Sequence, residues 1–244
     1  MILILGSTRD DILYFESVMV NKKEELIFDR YKATIGTIFN QEVIVVHDLY
    51  TSYVSALVTS YIIQKYYVIL VFVVGKCISY SNDMENGDIA VSKRVILGDV
   101  NQIKEADVRL GQVPHFARSL ETDEEIISYV SSALEKRSFS HFFTCTFISS
   151  NAIINSTERV KDIEMDGSVL GHRNNVVFDC TSGGAFLASA MSKIPSISIK
   201  VVESHMGEKT TVEHYMNVLK QYSAVGKAIV TCIGDIGRND VIRE

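Results

Sequence analysis

Short apolar runs rich in β-branched residues recur along the chain, and segments with apolar residues at helical spacing separate several of them. Strands are predicted for "MILIL" at residue 1, "VILVFVV" at Val68, "HFFTCTFISS" at His141, "NNVVFDC" at Asn174 and "PSISIKVV" at Pro195. Continuous apolar strands are typical of a sheet covered on both faces. The pattern predicts an α/β fold: one domain over residues 1–244, a three-layer sandwich with a central mixed, largely parallel twisted sheet.

Helical spacing and turn residues place the other elements. "YKATIGTIF" and "EVIVVHDL" flank Asn40-Gln41, which predicts a hairpin. A polar, aperiodic stretch over about 98–122 is long enough to be a lid or another functional loop. Helices are predicted for about 10–20, "TSYVSALVTSYIIQKYY" with a Thr51 or Ser52 N-cap, "ETDEEIISYVSSALEKR", "SGGAFLASAMSK" and "TVEHYMNVLKQYSAV".

Composition excludes several classes of protein. Of 244 residues, 47% are hydrophobic and only two are proline, so a disordered chain is excluded. A net charge of −6 argues against nucleic-acid binding. The N-terminus lacks the pattern of a signal peptide, and the Val68–Val74 run is too short to span a membrane. The cysteines at 77, 145, 180 and 232 are widely spaced, which predicts free thiols and a cytoplasmic protein.

Familiar catalytic motifs are absent. Around Gly75-Lys76 the P-loop pattern fails because Leu70 replaces its first glycine and Cys77 its Ser or Thr. No dinucleotide fingerprint, nucleophile elbow or metal spacing of histidines occurs, so no cofactor or metal is expected. Gly183-Gly184 at a helix start could approach a phosphate, but close packing is the favoured interpretation.

In open α/β sheets, ligands bind beyond the carboxyl ends of the strands. Carboxylates gather at the predicted strand ends, and paired carboxylates are the usual means of breaking a glycosidic bond. Each of these carboxylates could instead be a helix cap or a surface charge. The strand-end segments are Gly6-Ser7-Thr8, Asp48 to Tyr50, Gly75-Lys76, Ser149 to Asn151, Asp179 to Ser182 and Glu203 to His205.

The order of these features resembles the nucleoside phosphorylase and nucleosidase superfamily, most closely the methylthioadenosine/S-adenosylhomocysteine nucleosidases. The resemblance covers most of the chain. It is carried by "MILILGSTRDDI", "VFVVGKCISYSNDMENGDIAVS", "RLGQVPHFARSLETDEEII", "SSNAIINSTERVKDI" and "VVFDCTSGGAFLASAMSKIPSISIKVVES". It implies the family's fold, a purine nucleoside as ligand and hydrolysis of its N-glycosidic bond.

The resemblance also assigns the site. The water-activating glutamate of the family falls on Asp11, and the purine-binding aspartate falls on Ser204, or on Glu203 if the register slips by one. The ribose-binding carboxylate falls near Thr181, with Asp179 two residues earlier. Lys76 and Ile78 occupy positions where the family has small residues. The substrate-binding candidates are Thr8, Tyr50, Gly75, Lys76, Ile153, Ile154, Asp179 and Thr181, the two isoleucines replacing a base-stacking aromatic.

Two hypotheses remain open at this point. In the first, the chain is a nucleosidase or phosphorylase, and a phosphorylase would use Arg9, Lys76 or Lys200 for phosphate unless these are solvated turn residues. In the second, it is a catalytically degenerate homologue that binds a nucleoside or acts as an interaction or regulatory partner. The fold favours the first, whereas replacement of two of three catalytic carboxylates favours lost or altered activity. Either form is expected to be a homodimer or a hetero-oligomer with a related subunit.

Overall fold

The architecture comes from a computed structural model. It describes residues 1–100, 111–136, 141–156, 158, 160–161 and 175–239. The strands are β1 (Ile2–Gly6), β2 (Val20–Ile27), β3 (Tyr31–Ile38), β4 (Gln41–Val46), β5 (Leu70–Ser79), β6 (Ile89–Leu97), β7 (Leu120–Glu121), β8 (Phe142–Ser149), β9 (Val176–Asp179) and β10 (Ser196–His205). The helices are α1 (Leu13–Val18), α2 (Ser52–Lys65), α3 (Glu124–Glu135), α4 (Ser182–Met191) and α5 (Val212–Asn239).

The sheet is mixed, and part of it closes on itself. Its strand order is β10-β6-β8-β9-β5-β1-β4-β3-β2, and β10 pairs with β5 as well. Strands β5, β10, β6, β8 and β9 therefore form a closed ring, from which β1, β4, β3 and β2 extend as an open sheet. The α/β class and the mixed sheet agree with the sequence prediction. The predicted three-layer sandwich with a twisted sheet did not include this closure, which curls half of the sheet into a barrel-like arrangement.

Strand β5 exchanges one neighbour for another halfway along its length. Strand β10 pairs in parallel along one edge, from Val71 to Ser79. On the other edge, β1 pairs in parallel only as far as Val74, and β9 pairs antiparallel with Ile78 and Ser79. Residues 75–77 face the gap between these two neighbours. A ligand-sized opening therefore arises where the strands separate, as at the switch points of other α/β sheets.

Two apolar cores cover the two faces of the sheet. Helices α1, α3 and α5 pack on one face, and α2 and α4 pack on the other. Gly184 lets α4 approach α2, since a Cβ at that position would lie 1.8 Å from the backbone oxygen of Ser52. Close packing is therefore present, but at Gly184 it joins two helices; the predicted packing of helix on sheet occurs at Gly183, where a Cβ would lie 2.9 Å from the Cβ of Ser149.

Capping residues, turn residues and helical spacing predicted several elements correctly. The side chain of Thr51 caps α2 by accepting a hydrogen bond from the Val54 backbone N–H at 3.3 Å. The predicted hairpin forms with Ile38 paired to Gln41, so its loop is Phe39-Asn40, and both residues have positive φ. The α3 prediction is confirmed. Of the predicted excursion over 98–122, residues 101–110 lie outside the described residues.

Other predictions were wrong in extent. The helix expected over about 10–20 is the short α1, and Val20 already begins β2. Strand β2 was missed because "VNKKEELI" is polar and mostly exposed, with no alternation of apolar residues. Helix α5 continues 14 residues beyond its predicted end at Val225, to Asn239.

Candidate functional site

A cavity of about 360 Å³ opens beside the gap in β5. This volume lies within the range of small-molecule sites. Eight of the predicted site residues line it: Thr8, Tyr50, Lys76, Ile153, Ile154, Asp179, Thr181 and Glu203. The remaining lining residues are Ser7, Cys77, Ile78, Phe178 and Cys180. Topologically distant strand ends thus meet at one site.

Asp11 lies directly behind the cavity wall. It is buried, and its carboxylate accepts hydrogen bonds from Thr8, from the backbone N–H at 2.8 Å and from the side-chain hydroxyl at 3.0 Å. Tyr222 of α5 donates another. Burial raises the pKa of Asp11 above its ordinary value of 3.8, although these donors and the charge of Lys200 oppose the rise. A carboxylate with a raised pKa and fixed orientation is suited to act as a general base.

Glu203 enters the cavity through a β-bulge. Val202 pairs with Cys77 and Ser204 pairs with Ile78, so Glu203 is one extra residue in β10. Bulges commonly re-aim a side chain at functional sites. The Glu203 carboxylate forms an ion pair with Lys76. Ser204, the alternative candidate, is buried and does not line the cavity.

Lys200 is fully buried beneath the cavity. Its ammonium donates to the backbone oxygen of Val74 at 3.1 Å and to Thr181 Oγ1 at 2.7 Å. It also lies 3.4 Å from Asp179 Oδ2. From the sequence, Lys200 was a candidate for binding phosphate, with a solvated turn residue as the alternative. The alternative is wrong for Lys200, because this residue is buried in the interior of β10. Arg9 is exposed and does not line the cavity.

Asp179 retains an unused acceptor. Its Oδ2 accepts from Ser182 N–H at 2.9 Å and from the Thr181 hydroxyl at 3.3 Å. Its buried Oδ1 has no hydrogen-bond partner among the described residues. An unsatisfied buried carboxylate oxygen is costly unless a ligand supplies a donor. Asp179 is therefore suited to accept a hydrogen bond from a ligand hydroxyl.

The opposite side of the cavity is apolar. Ile78, Ile154 and Phe178 contribute to a small cluster at its wall. Ile153 and Tyr50 line the cavity but are more than half exposed, and they form its rim. A flat apolar group bound between these side chains would leave its polar edge toward the charged residues.

Two tyrosines of α5 were not anticipated from the sequence. Tyr215 donates to Asp10 Oδ2 at 2.6 Å, while Tyr222 bonds the adjacent Asp11. Their separation of seven residues places them on one face of the helix. Helical spacing could have indicated a shared face, but nothing in the sequence shows which turn that face covers. Cys180 was correctly expected to be a free thiol, although it is only partly buried and its pKa is raised to about 11, mainly by burial.

The backbone of Gly75 has a φ of +141°, a conformation that residues with a Cβ adopt only with strain. A Cβ there would lie 3.0 Å from both Asp11 Oδ2 and Ser7 Oγ, and 3.2 Å from Lys200 Nζ. We expect Gly75→Ala to lower the free energy of unfolding by about 1–3 kcal/mol from backbone strain, and further from displacement of these three groups. Urea denaturation measures the loss.

Gly207→Ala is the matched control for that substitution. Gly207 also has a positive φ, +81°, but a Cβ there would meet nothing within 4 Å. The control therefore isolates the cost of the backbone conformation. Equal losses of unfolding free energy in the two variants would show that Gly75 is not needed for close approach of the site residues.

A larger cavity, of about 810 Å³, lies at the opposite end of the strands. Its walls include Tyr66, Tyr129 and Ile194. In the described part of the chain, no group of His, Cys, Asp and Glu is arranged to hold a metal ion. None of the helices in that part is long and apolar enough to cross a membrane.

Comparison with known protein families and solved structures agrees with the resemblance seen in the sequence. A model of the phosphorylase superfamily matches residues 2–233. No curated protein sequence matches the chain significantly. Similar solved structures include the Helicobacter pylori 5'-methylthioadenosine/S-adenosyl homocysteine nucleosidase, at 19% identity and a TM-score of 0.84, covering 96% of this chain and 97% of that one.

Two further structures have the same fold. Futalosine hydrolase of Helicobacter pylori is 19% identical, with a TM-score of 0.83 and coverage of 96% and 97% of the two chains. The S-adenosylhomocysteine nucleosidase of Streptococcus pyogenes, in complex with 5-methylthiotubericidin, is 11% identical, with a TM-score of 0.83 and coverage of 96% of each chain. The match to the superfamily model thus confirms the family resemblance inferred from the sequence. The solved structures show that the fold is shared.

Proposed function

The chain belongs to the phosphorylase superfamily, and we propose that it binds a purine nucleoside in the β5 cavity and hydrolyses its N-glycosidic bond. The observation that carries the proposal is Asp11, a buried carboxylate held by Thr8 and Tyr222 with a raised pKa beside a nucleoside-sized cavity. Neighbouring structures in complex with adenine and with methylthio-immucillin-A support a ligand of this class.

The mechanism follows from the positions of the carboxylates. Asp11 activates a water molecule at the floor of the cavity by accepting its proton. Asp179 accepts a hydrogen bond from a ribose hydroxyl through its free Oδ1, and Thr181 contributes a second polar contact. Positive charge that develops on the ribose ring in an oxocarbenium-like transition state is stabilised by these carboxylates. Methylthioadenosine and S-adenosylhomocysteine are the nucleosides we expect.

Charge balance favours hydrolysis over phosphorolysis. Lys76 is paired with Glu203, and Lys200 is paired with Asp179. With Asp11 ionised, three carboxylates thus oppose two ammonium groups around the cavity. A phosphate anion in the cavity would find no unpaired cation among the described lining residues. No new ion pair would therefore offset the free-energy cost of removing the phosphate from water. Water carries no such cost.

The degenerate homologue is the second candidate. It is favoured by Thr181, a hydroxyl where a carboxylate would be expected, and by Ser204, which does not line the cavity. Such a protein would bind the nucleoside without releasing base, or act as an oligomeric interaction or regulatory partner.

Incubation of the purified protein with methylthioadenosine, S-adenosylhomocysteine, adenosine and inosine, with and without phosphate, distinguishes these candidates. We expect free base to be released without phosphate. Binding by calorimetry with no release would establish the degenerate form. Release that requires phosphate would establish a phosphorylase and refute the argument from charge balance.

We also propose a homodimer in the cytoplasm. Tyr53 and Leu57 of α2 are more than 60% exposed, and the backbone N–H of Tyr53 donates to Asn151 Oδ1 at 3.1 Å, two residues before the rim residue Ile153. An apolar surface of this kind marks interaction sites in soluble proteins. The free cysteines suit a reducing compartment. We expect sedimentation equilibrium to give twice the chain mass of 27.3 kDa, and Leu57→Glu to yield the monomer; a monomeric wild type would refute the dimer.

A further inference from the structure

The Lys76–Glu203 ion pair stands inside the cavity, and its role is not explained by packing. Lys76 is 39% exposed, whereas the Glu203 side chain is 11% exposed. Among the described residues, Glu203 is the only hydrogen-bond partner of the ammonium, and the ring of Tyr215 lies 6.0 Å from it. The pair therefore presents N–H donors next to a carboxylate acceptor at one place on the cavity wall.

This order of donor and acceptor complements one edge of adenine. Adenine presents an acceptor at N7 beside a donor at its 6-amino group, whereas guanine presents two acceptors, N7 and O6. Hypoxanthine, with a 6-oxo group, matches guanine in this respect. A 6-oxo group would face the Glu203 carboxylate with no hydrogen to share.

We propose that Lys76 and Glu203 bind the N7 and N6 edge of a 6-aminopurine, and that Lys76 gives the departing base its proton. The proposal rests on the hydrolysis proposed above. It assigns Lys76 the task of neutralising the leaving group, since Ser204 provides no carboxylic acid. The bulge at Glu203 explains how β10 still places a carboxylate at the base.

The C1′–N9 bond breaks with its electron pair going to the purine, and N7 takes a proton from the Lys76 ammonium. The oxygen of the water bonds to C1′, and Asp11 takes the proton that this water loses. Lys76, which is exposed, regains a proton from solvent, and Asp11 releases to solvent the proton that it took from the water. The products are neutral adenine and the free sugar.

Isothermal calorimetry with adenosine, 7-deazaadenosine and inosine tests the recognition directly. 7-Deazaadenosine has a C–H group in place of N7 and cannot accept from Lys76. We expect wild-type protein to bind adenosine roughly 10- to 100-fold more tightly than either analogue, since one hydrogen bond to a charged group is lost in each. Equal affinity for adenosine and 7-deazaadenosine in the wild type would overturn the proposal without any variant.

Lys76→Met removes the donor and keeps the length of the side chain. We expect it to bring the affinities for adenosine and 7-deazaadenosine together and to slow adenine release. Glu203→Gln supplies an amide donor and should shift preference from adenosine toward inosine. Lys209→Met, at an exposed lysine outside the cavity, is the control and should leave the preferences unchanged. An N7 preference that survives Lys76→Met would overturn the proposal.

The outcomes separate this inference from the proposed hydrolysis. A wild type that prefers adenosine through Lys76 but releases no adenine would refute hydrolysis and keep the recognition. A wild type that releases adenine, with rate and N7 preference unaffected by Lys76→Met, would refute the recognition and keep hydrolysis.

Discussion

Replacing Asp11 with Asn should reduce base release by roughly 10²–10⁴-fold, the usual contribution of a positioned general base. An amide cannot take the proton of the attacking water, although it fits the same space and can still accept from Thr8. Substrate affinity should change little, because Asp11 lies behind the cavity wall. Initial rates of base release at saturating nucleoside measure the effect.

Asp10→Asn is the matched control. Asp10 is the adjacent carboxylate, partly exposed and bonded to Tyr215, whereas Asp11 is buried and bonded to Thr8 of the cavity wall. We expect it to retain most of the activity. If both variants lost activity equally, the loss would report disruption of the turn, and Asp11 would not be the base.

The pH dependence of the rate has a definite sign. Asp11 must be ionised to accept a proton, so the rate should fall as pH decreases through its raised pKa, at a pH above the ordinary 3.8. Stability has the opposite dependence: the folded state binds the Asp11 proton more tightly than the unfolded state, so this contribution is present at low pH and lost as pH rises. Asp11→Asn should therefore not lower the unfolding free energy at neutral pH.

The sequence was sufficient to group three of the predicted site residues. Asp179, Lys76 and Glu203 each lie at the carboxyl end of a run whose apolar, β-branched pattern identifies a buried strand. Strands β5 and β10 pair in parallel, which brings Lys76 and Glu203 together, whereas β9 pairs antiparallel with β5; all three residues line the cavity. The choice between Glu203 and Ser204 could not be made, since it depends on a bulge whose position is set by pairing with β5.

Features that depend on contacts between distant parts of the chain could not be predicted from the sequence. Ring closure requires β10 to pair with both β5 and β6, and no local pattern encodes a second partner. Tyr222 lies more than 200 residues from Asp11, and only the docking of α5 brings them into contact. Lys200 follows an apolar run, so the sequence alone suggests a turn residue at the end of a strand. Only the structure shows that it is fully buried.

Replacing Lys200 with Met should lower the free energy of unfolding by about 3–5 kcal/mol, the cost of leaving a buried charge without its partner. The substitution is close in volume and apolar, so it leaves no large void. It does remove the partner of Asp179, together with hydrogen bonds to Val74 and Thr181. Urea denaturation followed by circular dichroism measures the loss.

The double variant Lys200→Met with Asp179→Asn shows whether charge is the cause. It removes the uncompensated carboxylate, so we expect most of the lost stability to return; no recovery would mean that the hydrogen bonds to Val74 and Thr181 dominate. Lys32→Met is the exposed control. Its partner Glu24 lies nearer, at 2.6 Å against 3.4 Å for the buried pair, yet water screens it and the loss should stay below about 1 kcal/mol. Burial, and not distance, thus sets the order of the two effects.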